Sequence, residues 1–303
     1  MPREPSYRKI RMSSYSIRDL EQLSGIKAHT LRIWEQRYNI IAPKRTDTNI
    51  RLYDDQDLKL VLNISLLKEH GYKISEISKM AAEEMNSEVV TISDRALNYP
   101  DQIHALTISM IDLDEERFEK IISTNILQFG FENTMIHIIY PFLSRIGTLW
   151  VTGSVGPAQE HFISNLIRQK IIVAIDGQVV KQMANSRKFL LFLPEGELHE
   201  MGLLFANYMI RARGHKVIYL GQSLPFTEIE FAYQLHQPDY IFTAITSVPA
   251  SNDVQPYVEK LATRFPEATL LLTGYQVVGQ DIQAKPNTIV INKVEDLMEI
   301  AQI

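Results

Sequence analysis

Hydrophobic and polar positions follow three successive patterns along the chain. Up to about residue 85, apolar residues recur at helical spacing in short segments that glycine and proline interrupt. From about 101 to 185 the helical spacing is nearly unbroken, which predicts a small helical bundle. From 188 onward, short β-rich apolar runs alternate with helical segments, which predicts a parallel sheet covered by helices on both faces.

The first pattern predicts a helix-turn-helix over residues 16–38. Ser16 is placed to cap the first helix, and Asp19 is its capping-box partner. Gly25 supplies the turn, and helical spacing resumes in AHTLRIWEQRY. Two short helices around such a glycine turn are typical of a DNA-binding helix pair.

The segment after the helix pair predicts a β-wing. Pro43 and a polar tip precede a short extended run at 50–53, and a helix is expected to follow over 55–67. A further helix is expected over 74–85. The polar stretch 86–100 ends in proline, and we expect a linker there.

The second and third patterns give candidate elements. Helices of the bundle are expected at 115–130, 134–150 and 157–180, with room for a fourth. Candidate strands of the sheet are 188–194, 215–221, 239–246, 268–274 and 289–292. Ligands of parallel sheets bind beyond the carboxyl ends of the strands. This rule directs attention to the loops PEGELHEMG, TAITS and TGYQV.

Composition narrows the class of protein. The 303 residues include no cysteine, which excludes disulfides, thiolate metal sites and a cysteine nucleophile. No signal-peptide pattern and no membrane-length apolar run is found, so we expect a soluble cytoplasmic protein with no membrane contact. Residues 1–79 carry 15 Lys and Arg against 10 Asp and Glu, a net +5, which leaves −10 for the remainder. A basic module that meets a polyanion fits this asymmetry.

Residues 12–80 resemble the DNA-binding domain of the MerR family of winged-helix regulators in the strings YSIRDLEQLSGIKAHTLRIWEQRY and PKRTDTNIRLYDDQDL. The resemblance implies that the second helix enters the major groove of double-stranded operator DNA and that the wing lies along the backbone. The implied DNA contacts are Thr30, Arg32 and Arg37 on the helix, and Lys44, Arg45 and Arg51 on the wing. The ordinary alternative is that these are solvated surface charges.

Apolar residues of the same region are assigned to its core, namely Leu31, Trp34 and Tyr53. Typical members of the family dimerise through a long heptad-bearing helix, which this chain lacks. We therefore expect a homo-oligomer, a dimer or tetramer, to be built largely by the C-terminal half.

Residues 194–225 resemble the first βαβ unit of base-off, histidine-on cobalamin-binding domains. The family signature Asp-x-His-x-x-Gly is matched by Glu197, His199 and Gly202, so the resemblance implies that His199 is the lower axial ligand of cobalt. The carboxylate can hold the other ring nitrogen. The later Ser-x-Leu and Gly-Gly signatures fall on Thr243, Ile245, Thr273 and Gly274. The departures are Glu197, Thr243 and Thr273, and the alternative for His199 is a polar loop residue.

Trp150, nine intervening residues and then Glu160 and His161 match the Trp-x9-Glu-His motif of the CarH/LitR photoreceptor group. The resemblance implies a helical bundle over the upper face of adenosylcobalamin, with Trp beside the adenosyl group, Glu on its ribose, and His a cobalt ligand after illumination. The ordinary alternative is that Trp150 closes one helix and Glu160 favours the start of the next.

The expected organisation is a winged helix-turn-helix domain at 1–85, a linker at 86–100, a helical bundle at 101–185 and a Rossmann-like, flavodoxin-like α/β domain at 186–303. The leading hypothesis is a repressor that senses adenosylcobalamin and light. The alternative is a MerR-type regulator whose C-terminal module works without cobalamin, in oligomerisation or partner binding. A cobalamin-dependent methyltransferase or mutase is a third hypothesis, and we expect no enzyme because no catalytic domain accompanies the module.

Overall fold

A computed structural model of the chain describes residues 14–46, 48–95, 99–152, 155–179, 185–247 and 254–302. It divides the protein into two compact units, Met1–Leu166 and Ile167–Ile303. Within the described residues, no helix is long and apolar enough to cross a membrane.

The first unit is helical apart from a two-stranded wing. Its helices are α1 (Ile17–Ser24), α2 (Ala28–Tyr38), α3 (Asp55–Glu69), α4 (Ile74–Ile77), α5 (Ala82–Arg95), α6 (Tyr99–Asp112), α7 (Glu115–Thr134) and α8 (Tyr140–Thr152). The wing strands are β1 (Lys44–Arg45) and β2 (Arg51–Leu52). The unit boundary falls inside α9 (Pro157–Asp176).

The predicted helix-turn-helix is confirmed by α1 and α2. The Ser16 hydroxyl accepts from the Asp19 N–H, and the Asp19 carboxylate accepts from the Ser16 N–H, which forms the expected capping box. Gly25 ends α1 at a φ of 74°, a left-handed conformation that glycine adopts without strain. Trp34 is buried in the core of the helix-turn-helix and wing region, together with Leu31 and Tyr53.

The predicted wing is also present. β1 and β2 pair antiparallel, with Lys44 opposite Leu52 and Arg45 opposite Arg51. Asp54 then caps α3 by accepting from the N–H groups of Gln56 and Asp57. The wing is therefore fixed at its base by the start of a buried helix.

The structure corrects the predicted linker at 86–100. Residues Ala82–Arg95 form α5, which packs against α3 and α6. Met85, Val89 and Ile92 are buried, and their spacing gives one apolar stripe in an otherwise polar sequence. The single helix expected over 74–85 is also wrong, because α4 ends at Ile77 and α5 begins at Ala82.

The bundle contains the expected fourth helix, α6. Gly130 separates two helical segments within α7, as expected, because its backbone is non-helical with a φ of 79°. The second segment continues through a π-helical turn at Met135–Ile139 into α8. Ile138, Ile139 and Phe142 are buried, and the turn and α8 pack against α6.

The second unit is a parallel α/β fold. Its strands are β3 (Lys188–Pro194), β4 (Lys216–Leu224), β5 (Tyr240–Ala244), β6 (Thr269–Thr273) and β7 (Thr288–Val290), and its helices after α9 are α10 (Met201–Ala212), α11 (Phe226–His236), α12 (Val254–Arg264) and α13 (Val294–Ile300). The strand order is β4-β3-β5-β6-β7. This is the flavodoxin-like order, and it confirms the predicted fold class.

The direction of winding reverses at β3, because the chain goes to one neighbour, β4, and then returns to the other, β5. One sheet face buries residues such as Leu190, Ile241 and Leu270 against α11 and α12. Strand alternation places Phe189 and Leu191 on the opposite face, where α10 packs on β3. The crevice at such a reversal, beyond the carboxyl ends of β3 and β5, is where doubly wound sheets bind ligands.

Candidate DNA-binding surface and cofactor site

The predicted helix surface is exposed on α2. Arg32 and Arg37 are exposed, and Thr30 is half-buried. The Arg37 guanidinium lies 5.5 Å from the Tyr38 ring centroid, and the Thr30 hydroxyl lies 3.4 Å from Nε2 of His29. Two exposed guanidinium groups on one short helix can bind phosphates or a guanine edge.

The three basic residues of the wing differ in their partners. Lys44 is 73% exposed and lies 3.1 Å from Asp54. Arg45 donates to Asn49 at 2.7 Å and reaches Glu35 at 3.5 Å. Arg51 is only 23% exposed and donates from Nε to Glu35 at 2.8 Å. Lys44 and Arg45 therefore point outward, whereas Arg51 is mostly used to hold the wing.

Glu35 is a functional candidate that the sequence analysis missed. It lies on α2, and its two carboxylate oxygens accept from Arg51 and Arg45. It therefore fixes the wing relative to the helix that carries Arg32 and Arg37. Its spacing from Arg51 gives no local signal, since the two residues are 16 positions apart.

In the second unit, two loops meet at the carboxyl edge of the sheet around the Glu197 carboxylate. One carboxylate oxygen, Oε2, accepts from the N–H groups of Thr246 at 2.8 Å and Ser247 at 2.6 Å. The other, Oε1, accepts from the His199 N–H at 3.0 Å and from its Nδ1 at 2.6 Å. The loop after β3 is thus fastened to the loop after β5. We call this arrangement the His199 ledge, comprising Glu197, His199, Thr246 and Ser247.

Glu197 is held as a carboxylate although only 3% of its side chain is exposed. Burial alone would raise its pKa. The backbone N–H groups of Ser247, His199 and Thr246, together with the His199 side chain, outweigh burial and lower the pKa below its ordinary value. A permanent acceptor at Oε1 fixes the Nδ1–H tautomer of His199.

The His199 side chain is 65% exposed. Because Nδ1 is used by Glu197, Nε2 is the ring nitrogen that remains for a ligand. A metal-binding histidine is commonly oriented in this way, by a carboxylate on its other nitrogen.

Two exposed apolar side chains lie in loops at the carboxyl edge of the sheet. Leu198 is next to His199 in sequence, and Tyr275 is in the loop after β6. Gly202 lies in the first turn of α10, and a Cβ added to it would meet no atom within 4 Å. Exposed apolar side chains at the same sheet edge as an oriented imidazole are suited to a broad, partly apolar ligand. Leu198 and Tyr275 were missed by the sequence analysis because exposure cannot be read from sequence.

The residues at the Ser-x-Leu and Gly-Gly positions lie at the same carboxyl edge of the sheet, at the ends of β5 and β6. Thr243 is fully buried, and its hydroxyl has no hydrogen-bond partner, which leaves a polar group for a ligand to satisfy. Ile245 is fully buried as well. The Thr273 hydroxyl donates to the carbonyl of Ile291 at 2.9 Å, so this extra side chain is satisfied within the protein. A Cβ on Gly274 would lie 2.4 Å from the Ile245 carbonyl oxygen, so only glycine fits there.

In the first unit, Glu160 and His161 lie in the first turns of α9, half-buried and exposed respectively. The capping function belongs to their neighbour Gln159, whose side-chain oxygen accepts from the Gly156 N–H at 3.1 Å. Glu160 is an acidic residue in the first turn of α9, as the ordinary alternative expects, although Gln159 makes the hydrogen bond to Gly156. The backbone of Trp150 is part of α8, but its side chain is not among the parts of the chain that the structure describes.

The described residues contain no cluster of three or more His, Asp or Glu that could hold a metal ion. A single imidazole is sufficient only when another molecule supplies the remaining metal ligands, as a corrin ring does for cobalt. Oriented His199, the open backbone at Gly202 and the unpartnered Thr243 hydroxyl fit such a group.

Family models match the helix-turn-helix region and the helical region that follows it. Residues 15–84 match the MerR HTH family of regulatory proteins, and residues 102–174 match the B12 binding domain. The HTH-type transcriptional repressor CarH of Myxococcus xanthus is 25% identical over 86% of this chain and 88% of its own length. The repressor CarA of the same organism is 24% identical over 80% of each.

Among solved structures, the monomethylamine corrinoid protein of Methanosarcina barkeri is similar in fold, with a TM-score of 0.50. It is 12% identical, and the match covers 72% of this chain and 98% of that protein. The chain therefore combines a MerR-type helix-turn-helix region with a B12-binding region and a C-terminal parallel-sheet domain of the kind found in corrinoid proteins.

Proposed function

We propose that this helix-turn-helix transcriptional regulator is a repressor that binds adenosylcobalamin and releases DNA on illumination. The observation that carries the proposal is the His199 ledge. A buried, ionised carboxylate orients an exposed imidazole at the carboxyl edge of a flavodoxin-like sheet.

His199 would be the protein ligand of cobalt through Nε2, and Glu197, which accepts from Nδ1, would orient the ring. The Thr243 hydroxyl would pair with a polar atom of the nucleotide tail, which removes the cost of a buried unpartnered group. Leu198 and Tyr275 would cover apolar edges of the corrin. The bound cofactor would supply a cobalt–carbon bond that light can break.

The pair Glu160 and His161 is proposed to contact the upper ligand. This assignment comes from the Trp-x9-Glu-His motif, and the capping role of Gln159 supports it by leaving Glu160 free for another task. On the DNA side, Arg32, Arg37, Lys44 and Arg45 would bind operator DNA, and Arg51 would act mainly through its contact with Glu35. Several heads in one oligomer would raise operator affinity through effective concentration.

Similarity to the CarH and CarA repressors favours a regulator over an enzyme. The competing proposal is a regulator that works without cobalamin. Its supporting observation is that the Thr273 hydroxyl is already satisfied by the Ile291 carbonyl, and that Gly274 is required by the close approach of the Ile245 backbone.

The test is an absorbance spectrum and gel filtration of the protein mixed with adenosylcobalamin in darkness, repeated after green illumination. We expect corrin to elute with the protein, and the elution volume and the retention of a selected operator duplex to change on illumination. His199→Ala should abolish or strongly weaken corrin retention.

His236→Ala is the matched control. His236 is the last residue of α11, just before β5, and so lies toward the amino edge of the sheet. Corrin that elutes freely from both wild type and His236→Ala would support the cobalamin-independent regulator. Corrin retention without any response to light would keep the cofactor and reject the photoreceptor.

A further inference from the structure

A cleft lies in the first unit, and none of its lining residues belongs to the His199 ledge. It has a volume of about 630 Å³, within the range of small-molecule sites. Gln56, Lys59, Leu60 and Asn63 of α3 form one wall. Their spacing of three, four and seven residues places them on one helix face.

The opposite wall repeats this spacing on α5. Ala82, Met85, Asn86 and Val89 line the cleft from one face of that helix. Met80 lies just before α5 and contributes a fourth apolar side chain beside Ala82, Met85 and Val89. Methionine side chains adapt their shape readily, so this wall can accommodate an apolar body.

Asn63 gives the cleft a specific polar group. Its side chain is 8% exposed, and its Nδ2 donates to Oδ1 of Asn86 at 3.1 Å. Its own Oδ1 is buried and has no hydrogen-bond partner. A buried acceptor without a partner is rare in folded proteins and calls for a donor from outside the chain.

Three charged residues line the cleft in the described part of the chain: Lys59, Asp112 and Arg117. Lys59 lies 2.6 Å from Asp112, so these two opposite charges largely neutralise each other. The unpartnered acceptor of Asn63 and the apolar side chains of the walls best fit an apolar molecule with one N–H or O–H donor.

We propose that this cleft between α3 and α5 binds a neutral amphipathic small molecule that donates a hydrogen bond to Oδ1 of Asn63. The cleft contains none of the residues proposed to bind cobalamin, so failure of either proposal leaves the other unaffected. One wall of the cleft is α3. The residue that caps this helix, Asp54, contacts Lys44 of the wing.

The test uses two probes of the same shape with the full-length protein. N-phenyl-1-naphthylamine is a fluorescent neutral amphiphile with one N–H donor, and 1-benzylnaphthalene replaces that N–H with a methylene. Binding of the first is followed by fluorescence, and the second is measured by displacement. We expect wild type to prefer the N–H probe by about tenfold, the effect of one net hydrogen bond.

Asn63→Leu should bind both probes equally, because it keeps an apolar wall and removes the acceptor. Retention of the tenfold preference in this variant would overturn the role of Asn63. Ala82→Trp should block both probes, whereas Ala81→Trp, an exposed neighbour that does not line the cleft, should leave them unchanged.

Two further results keep the test decisive. The double variant Leu198→Ser, Tyr275→Ser removes exposed apolar surface near His199 and should not alter probe binding, so a loss of binding would place the probe there instead. If Asn63→Leu fails to fold by circular dichroism, the Ala82→Trp and Ala81→Trp pair still decides whether the cleft is the site. Equal binding by these two variants would overturn the proposal.

Discussion

Two carboxylates orient basic side chains in this protein, and their surroundings differ. Glu35 links α2 to the wing through Arg51 and Arg45, and all three side chains remain partly exposed to solvent. Glu197 is almost fully buried and accepts four hydrogen bonds, three of them from backbone N–H groups. The first contact joins partly exposed side chains, whereas the second joins two loops of the sheet.

The difference fits the role proposed for each region. A DNA-binding surface has to adjust its arginines to a phosphate backbone, and an exposed ion pair can be exchanged for a phosphate at little cost. A metal ligand has to be held in one orientation before the metal arrives. Backbone donors that cannot rotate away give Glu197 that rigidity.

The largest effect is expected from breaking the backbone that supports the His199 ledge. Gly274→Ala would place a Cβ 2.4 Å from the Ile245 carbonyl oxygen, at a φ of 102°. We expect the free energy of unfolding to fall by about 3–5 kcal/mol, from overpacking and backbone strain together. Urea unfolding followed by circular dichroism measures it.

Gly279→Ala is the matched control for this change. Gly279 also has a positive φ, 75°, but a Cβ there meets nothing within 4 Å. Strain alone should cost about 1–2 kcal/mol. Equal losses in the two variants would show that the close approach of Gly274 to Ile245 does not stabilise the ledge.

The next effect is expected at Glu197 itself. Glu197→Gln keeps the size of the side chain but presents an amide N–H₂ to groups that are themselves donors, so His199 loses its fixed orientation. We expect cobalamin affinity to fall about 10–100-fold, as for other residues that orient metal ligands. Spectrophotometric titration with hydroxocobalamin measures it.

Glu195→Gln serves as its control, since Glu195 is exposed on the same loop. It should bind cobalamin as wild type does. If Glu197→Gln also bound normally, the orienting role of the carboxylate would be rejected even if His199 is a ligand.

The smallest effect is expected at Glu35. Glu35→Gln removes a partly exposed ion pair, so the free energy of unfolding should fall by at most about 1 kcal/mol at low salt. The loss should shrink as salt is raised, because exposed charges are screened. A double-mutant cycle with Arg51→Gln isolates the pair, and a coupling that is insensitive to salt would contradict the contrast with Glu197.

Local sequence patterns were sufficient to predict the structure wherever residues close together in the chain determine it. The capping box at Ser16, the turn at Gly25 and the alternation of strands and helices after residue 188 all depend on short spacings. The linker prediction failed because α5 is polar on most of its surface and is held by only a narrow stripe of buried residues. Burial of that stripe depends on α3, which is distant in sequence.

The sequence alone determined the order of the modules, the flavodoxin-like alternation and the pairing of Glu197 with His199, because each rests on residues close together in the chain. Tertiary structure decided which groups complete those sites. Ser247 lies 50 positions from Glu197, Glu35 lies 16 positions from Arg51, and the unpartnered oxygen of Asn63 exists only because α5 packs beside α3. Such contacts depend on how separate elements pack, and no local spacing records them.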